Sequence, residues 1–221
     1  MATALHRPLR TSKTHIATSY KPKNVTSKTK TTTTTHENLI DPIEERINHI
    51  RTHLLSSRFP RHIIPPEPTL VFRKFLYLGG LKSLNDKDYL TRLNITHILS
   101  VVWIQPRSAY ISSNIRHLFI KADDCTTFDM SLYFEQACQF IEDARQCDGR
   151  VLVHCACGVS RSSTLCCAYL IKYHSMSIEQ ALTHLRSRRH IIQPNAAFLR
   201  QLIHYNEKID ADKSTVNTIH A

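Results

Sequence analysis

The stretch at 150–171, RVLVHCACGVSRSSTLCCAYLI, constrains the fold more than any other part of this chain. An apolar run rich in valine passes through a short arc with one glycine and enters a segment that suits a buried helix. Strand, loop and helix in that order, deep in a core, belong to an α/β domain with a largely parallel sheet. The arc itself runs from Cys155 to Arg161. Such an arc can turn consecutive backbone N–H groups inward and add the positive end of the helix dipole, which makes a concave anion site. The cradle is then the backbone of Ala156, Cys157, Gly158, Val159 and Ser160.

Cys155 opens the arc and feels the same field, so its thiol is expected to fall below the ordinary value of about 8.5 and to become nucleophilic near neutral pH. Arg161 closes the arc, and its planar fork can grip two phosphoryl oxygens, which lysine does poorly. Ser162 can donate its hydroxyl to the sulfur, and His154 can hold the loop through its ring. The plain alternative is that Cys155 and Cys157 are small buried residues after a strand. The complete Cys-x-x-Gly-x-x-Arg string, flanked by Val151 to Val153 and by Ser162-Ser163-Thr164, argues against it. The four glycines, at 79, 80, 149 and 158, form neither a Walker nor a dinucleotide pattern, so a nucleotide-driven enzyme is excluded.

Four regions are expected along the chain. Residues 1–37 hold seven of the 29 Lys and Arg and only one acid, so much of the net charge of +11 belongs there. That segment is rich in Thr and poor in large apolar residues, which predicts a disordered basic tail. A solvating, phosphorylatable arm is its leading reading, a docking arm for an acidic partner or nucleic acid the second, and a mitochondrial presequence the third. Charge does not choose among them, and no nucleic acid is assigned. Residues 38–69 form an amphipathic helix over about 42–57 and a connector with Pro60, Pro65, Pro66 and Pro68. Asp41 caps that helix, Pro42 opens it, and Ile43, Ile47, Ile50 and Leu54 recur at helical spacing.

Residues 70–208 carry the α/β domain, with strands expected at 75–78, 96–102, 116–120 and 150–153. Helices are expected at 86–93 and 131–146, from Ser162, from the Ser177 to Gln180 capping box, and at 196–207. Residues 209–221 are read as a tail. The seven cysteines lack zinc-ribbon spacing and MATALHRPLR lacks an apolar leader, so free thiols in a reducing compartment, cytoplasm or nucleus, are expected. No apolar run approaches the roughly 20 residues of a membrane span.

The string VLVHCACGVSRSSTLCCAYL resembles the signature of the dual-specificity protein phosphatases. The resemblance extends over residues 70–206 through FLYLGG, ITHILSVV and RRHIIQPNAAFLRQL. It implies a five-stranded, mostly parallel sheet between helices, with the active loop at the carboxyl end of the central strand. It also implies hydrolysis of phosphotyrosine and of phosphoserine or phosphothreonine in proteins, without metal or cofactor. A general acid is then needed in a loop about thirty residues before the nucleophile, and KADDCTTF aligns Asp124 with it. Asp123 is read as a solvated carboxylate and Asp129 as a helix cap. Asn195, in the family's Pro-Asn position, is expected to support the loop.

Two other functions share the same motif: a phosphate-recognition module without turnover, and a phosphatase of a non-protein phosphoester. Cys157 also raises the idea of a thiol that traps oxidised Cys155. The cluster Arg186, Arg188, Arg189 and His190 reads first as cations at a helix end and second as a site for acidic substrate. Trp103 is assigned no contact.

Overall fold

The alternation of apolar runs and amphipathic segments builds, among the described residues, a five-stranded sheet whose strands, counted along the chain, lie side by side in the order first, second, fifth, third and fourth. The computed structural model describes residues 41–56, 64–107 and 111–219. The expected basic tail, residues 38–40 and Pro60 therefore lie outside the described residues. The strands are β1 (Thr69–Phe72), β2 (Leu76–Gly79), β3 (His97–Val102), β4 (Arg116–Lys121) and β5 (Val151–His154). Only the β1–β2 pair is antiparallel, and β5 lies at the centre between β2 and β3. The helices are α1 (Pro42–His49), α2 (Lys87–Arg92), α3 (Phe134–Gln146), α4 (Arg161–His174), α5 (Ile178–Arg188) and α6 (Ala196–Ile219).

Side-chain alternation sorts each strand between two apolar layers. Val151 and Val153 of β5 join Leu76, Leu78, Leu99 and Val101 in the larger core, which α3, α4, α5 and α6 cover. Leu152 faces the other way with Tyr77 and Ile98, against Leu84 and Leu90. Helix α4 is buried from Arg161 to Ile171 because it packs on α3, α5 and α6 as well as on the sheet. A strand buried on both faces thus delivers its end directly to the start of a helix buried all round. That junction is Cys155 to Arg161.

Helix α1 begins as the sequence indicates: Ile43 N–H donates to Asp41 Oδ1 at 3.0 Å, with Pro42 at the first position. It passes into a π-helical turn, Ile50–Leu54, and ends there, a little short of residue 57. Its apolar stripe is covered by the rest of the fold. Ile47, Ile50 and Leu55 are buried, and Arg46 reaches Glu179 of α5 at 2.7 Å. The Ser177 to Gln180 capping box forms with both reciprocal hydrogen bonds. Among the described residues no helix is long and apolar enough to cross a membrane.

Two elements differ from the sequence reading. Strand β1 was not expected: it begins at Thr69, the last residue of the proline-rich segment, and is a four-residue edge strand whose turn into β2 places Arg73, not Gly or Asn, at a positive φ of 48°. A hairpin without the usual turn residue gives no local signal. Helix α6 runs to Ile219, past residue 207 and through the segment read as a tail. The chain after Glu207 contains no Gly or Pro to stop it, and Lys213 donates to Ser175 Oγ at 3.0 Å.

Helices α3 and α4 are fastened by one buried carboxylate. Glu142, 4% exposed, accepts from Arg145 Nε at 2.8 Å and from the buried Tyr169 hydroxyl at 2.9 Å. The Arg145 hydrogen bonds, opposed by burial and aided by Tyr169 and Gln146, hold its pKa down at about 2. A carboxylate depressed on folding stabilises the fold above its unfolded pKa and loses that contribution as pH falls toward its folded value. Glu142→Gln is therefore expected to cost about 1–3 kcal/mol at pH 7. In urea unfolding, the gap from the unaltered protein should narrow from pH 5 toward pH 2; an equal gap at both ends contradicts this role.

Candidate active site

A trans peptide points its C=O and the next N–H in opposite directions, so fixing a carbonyl outward fixes the following N–H inward. From Cys155 to Ser160 every loop carbonyl is held. Cys155 O accepts from His154 Nδ1 at 3.3 Å, and Ala156 O accepts from Leu81 N–H at 2.9 Å. Cys157 O and Gly158 O accept from Arg189 Nη2 at 3.3 Å and Nε at 3.0 Å. Val159 O accepts from Gln193 N–H at 2.8 Å and from the Ser163 hydroxyl, and Ser160 O accepts from the N–H and hydroxyl of Thr164. The N–H groups of Gly158 and Val159, which follow two of these tethered carbonyls, reach the sulfur on the other side.

Cys155 is 1% exposed, and its Sγ accepts from Gly158 N–H and from the Ser162 hydroxyl, each at 3.2 Å. Burial pushes the thiol pKa up. The hydroxyl and N–H of Ser162, the N–H of Val159 and the charge of Arg161 together outweigh burial and hold it below the ordinary thiol value. Ser160, at the N-cap of α4, makes no capping hydrogen bond to its own helix. The sulfur occupies that role instead, taking the unsatisfied N–H of the first turn. Gly158 holds a positive φ of 68°, and a Cβ there would lie 2.5 Å from Gly79 O and 2.8 Å from Arg189 Nη2. Only glycine fits that closure.

Three other cysteines contrast with Cys155: Cys138, Cys166 and Cys167 are buried in the core, and burial raises the pKa of each. Cys157 is exposed, two residues from the buried nucleophile candidate.

Arg161 reaches back over the loop. Its Nη1 donates to Ala122 O at 3.0 Å, which anchors the guanidinium beneath the segment that carries the two aspartates. Its Nε is buried, has no hydrogen-bond partner, and lies 3.7 Å from Asp124 Oδ2. A buried donor left open beside a nucleophile is suited to an incoming oxyanion. Asp124 Oδ1 accepts from the Ser160 hydroxyl at 2.7 Å and from Asn195 Nδ2 at 3.0 Å, which leaves Oδ2 directed toward Arg161. Asp123 is exposed, and Asp129 caps the turn Ser131–Tyr133 through Ser131 N–H.

Cys155, Arg161, Ser162 and Asp124 thus converge, and His154 and Asn195 flank them. Asn195 does more than brace the loop. Its N–H donates to Ser160 Oγ, its Oδ1 accepts from Phe198 N–H to open α6, and its amide nitrogen holds Asp124. Beside this cluster lies a groove of about 560 Å³ lined by Arg51, Asp124, Thr126, Ser160 and Asn195 among others. Trp103, 55% exposed, stands at the end of β3 with Lys121 Nζ 4.5 Å from its ring centroid.

Sequence reasoning misassigned one arginine and missed another. Arg189 is 2% exposed and braces the loop from behind, with a third bond to Thr69 Oγ1 at 3.0 Å. It stands at the C-cap of α5, but its side chain donates to the loop and to Thr69 and not to that helix's carbonyls. Its neighbour Arg186 donates to Ile192 O at 3.2 Å and to Ser56 O at 2.9 Å. Arg51 was legible only as a polar position on a helix, because nothing in its neighbourhood in the chain points to a groove formed by residues 124–196.

The family model "Dual specificity phosphatase, catalytic domain" matches residues 76–208. Dual specificity protein phosphatase 26 of Bos taurus is 44% identical over 138 residues, covering 61% of this chain and 65% of that protein. The chain thus spans just under two thirds of that relative's length. Among solved structures, a mouse putative dual specificity phosphatase complexed with zinc tungstate superposes with a TM-score of 0.64 at 27% identity, over 71% of this chain and 97% of that one. Human DUSP28 does so with a TM-score of 0.62 at 28% identity, over 70% of this chain and 99% of that one. With residues 76–208 matched and the cysteine loop inside the matched segment, the chain belongs to the dual specificity phosphatase catalytic-domain family.

Proposed function

We propose that this chain is a protein phosphatase that hydrolyses phosphotyrosine and phosphoserine or phosphothreonine through a phosphocysteine on Cys155. The observation that carries the reading is a buried sulfur with a lowered pKa inside a ring of inward-turned amides, with the open Nε of Arg161 and the carboxylate of Asp124 on the same side. The amides and Arg161 bind the phosphoryl oxygens and meet the charge that builds on them in the transition state. Tungstate, held by the mouse relative, is a tetrahedral oxyanion of the same shape class.

In the first step Cys155 Sγ attacks phosphorus, the bond from phosphorus to the ester oxygen breaks, and Asp124 gives its proton to the departing oxygen. In the second, Asp124 takes a proton from water, the water oxygen attacks phosphorus, and the sulfur leaves as thiolate with inorganic phosphate released. Ser162 steadies the sulfur as it regains charge, through the hydroxyl that already lies 3.2 Å from it. Ser160 and Asn195 hold Asp124 over the loop. Every proton and electron pair in this cycle is supplied by the chain, the ester and water. An acidic partner for the basic tail, and a cytoplasmic or nuclear location, belong to the same proposal.

Turnover of para-nitrophenyl phosphate tests the reading. Cys155→Ser is expected to fall to the uncatalysed background while still binding phosphorylated peptide; an unaltered protein no faster than this variant would leave only a recognition module. Asp124→Ala is expected to lower kcat by about 10²–10⁴. The loss should be larger for a phosphothreonine peptide than for para-nitrophenyl phosphate, because an alkoxide needs the proton more than a nitrophenolate does. Equal losses on both substrates would remove Asp124 from the proton-transfer step.

A further inference from the structure

The layer between the sheet and α2 holds three polar side chains in a row across three strands. His154 of β5 pairs in register with Ser100 of β3, and His117 of β4 pairs with Ile98, two residues before Ser100. Side chains two apart on a strand share a face, so all three stand beside Leu152 and Ile98. Ser100 and His154 are fully buried, and His117 is part-exposed at the outer strand. Ser100 Oγ lies 2.6 Å from His154 Nε2 and 2.8 Å from His117 Nε2.

The direction of every hydrogen in this row follows from one acceptor. Cys155 O can only accept, so His154 Nδ1 carries a proton and donates to it. Burial, reinforced by the charge of His117 and opposed by the Cys155 carbonyl, lowers the His154 pKa to about 4, so the ring is neutral near pH 7 and its Nε2 must accept. The hydroxyl of Ser100 is therefore the donor to His154. Having spent its one proton, Ser100 Oγ accepts from His117 Nε2–H. Protonation of His117 leaves this direction unchanged, since Nε2 donates in both forms.

We propose that Ser100 and His117 are positioning residues for the nucleophile loop: they lock His154 as the Nδ1–H tautomer and so anchor the first loop carbonyl, that of Cys155. This rests on the reading of Cys155 as the nucleophile. The Cys155 carbonyl and the Ala156 N–H share one peptide plane, so holding the first outward keeps the second turned toward the sulfur. Without the Ser100 proton, Nε2 of a buried histidine loses its donor, and the long bond to the Cys155 carbonyl alone favours the Nδ1–H tautomer. The Cys155 peptide is then held less firmly, and the first amide of the cradle is less well aimed.

The test is the pH dependence of Cys155 alkylation by iodoacetate, with Cys155→Ser identifying the signal and thermal melting confirming the fold. Ser100→Ala is expected to raise the midpoint by ~0.5 pH unit or more, slowing alkylation at pH 6 about threefold. Ser100→Thr, which keeps the hydroxyl, should stay with the unaltered protein. His117→Phe should shift the midpoint the same way by less, and His117→Gln, whose amide can replace the N–H donor, should restore it. A folded Ser100→Ala with an unchanged midpoint overturns the proposal, as does a Ser100→Thr that shifts equally. If Ser100→Ala does not fold, the His117 pair decides by the same criterion. Alkylation needs no turnover, so a low midpoint in a protein that hydrolyses no phosphoester would sink the phosphatase reading and leave this one standing.

Discussion

The outward tethering of six consecutive carbonyls is the constraint on which the rest of this structure depends. An isolated loop of this sequence has no reason to present its amides to one point, because each N–H does as well with water. Here the hydrogen bonds of Leu81, Gln193, His154, Thr164 and Arg189 settle the loop's conformation before any ligand arrives. Preorganised dipoles need no rearrangement as charge develops, which is where such sites gain their effect. The sulfur of Cys155 is the first group to feel them.

The fold supplies those tethers from many places in the chain. Leu81 follows β2, Thr164 belongs to α4, Arg189 closes α5 and Gln193 precedes α6. A central strand buried on both faces is what allows elements on each side to reach the loop. Arg189 is the costliest of the tethers, since a buried guanidinium is tolerated only when its donors are satisfied. Its Nε, Nη1 and Nη2 all find oxygen acceptors. The strand that was not expected supplies one of them, Thr69 of β1, so the missed element and the misassigned arginine are parts of one arrangement.

Much of this was legible from the residues. The Cys-x-x-Gly-x-x-Arg arc between an apolar run and a hydroxyl-rich helix start marks Cys155, Arg161 and Ser162, and the five-stranded sheet with its loop at the central strand follows from the resemblance that motif carries. The candidate for the acid came from the same resemblance, and Asp124 lies beside Ser160 and Arg161 of the loop. What stayed hidden was set by distance along the chain. Arg189 in RSRRH looks like its neighbours, and Ser100 in HILSVV looks like a stray polar residue in a strand. Their partners lie 31 and 54 positions away, beyond any local periodicity.

The ultraviolet absorbance of thiolate, followed with pH in the unaltered protein and corrected with Cys155→Ser, addresses the central claim most directly. A sulfur held by tethered amides, Ser162 and Arg161 should ionise well below the ordinary thiol value of about 8.5 and be predominantly thiolate at pH 7. A midpoint at or above that value in the folded protein would mean that burial wins over the inward-turned dipoles, and the account given for the loop would be wrong.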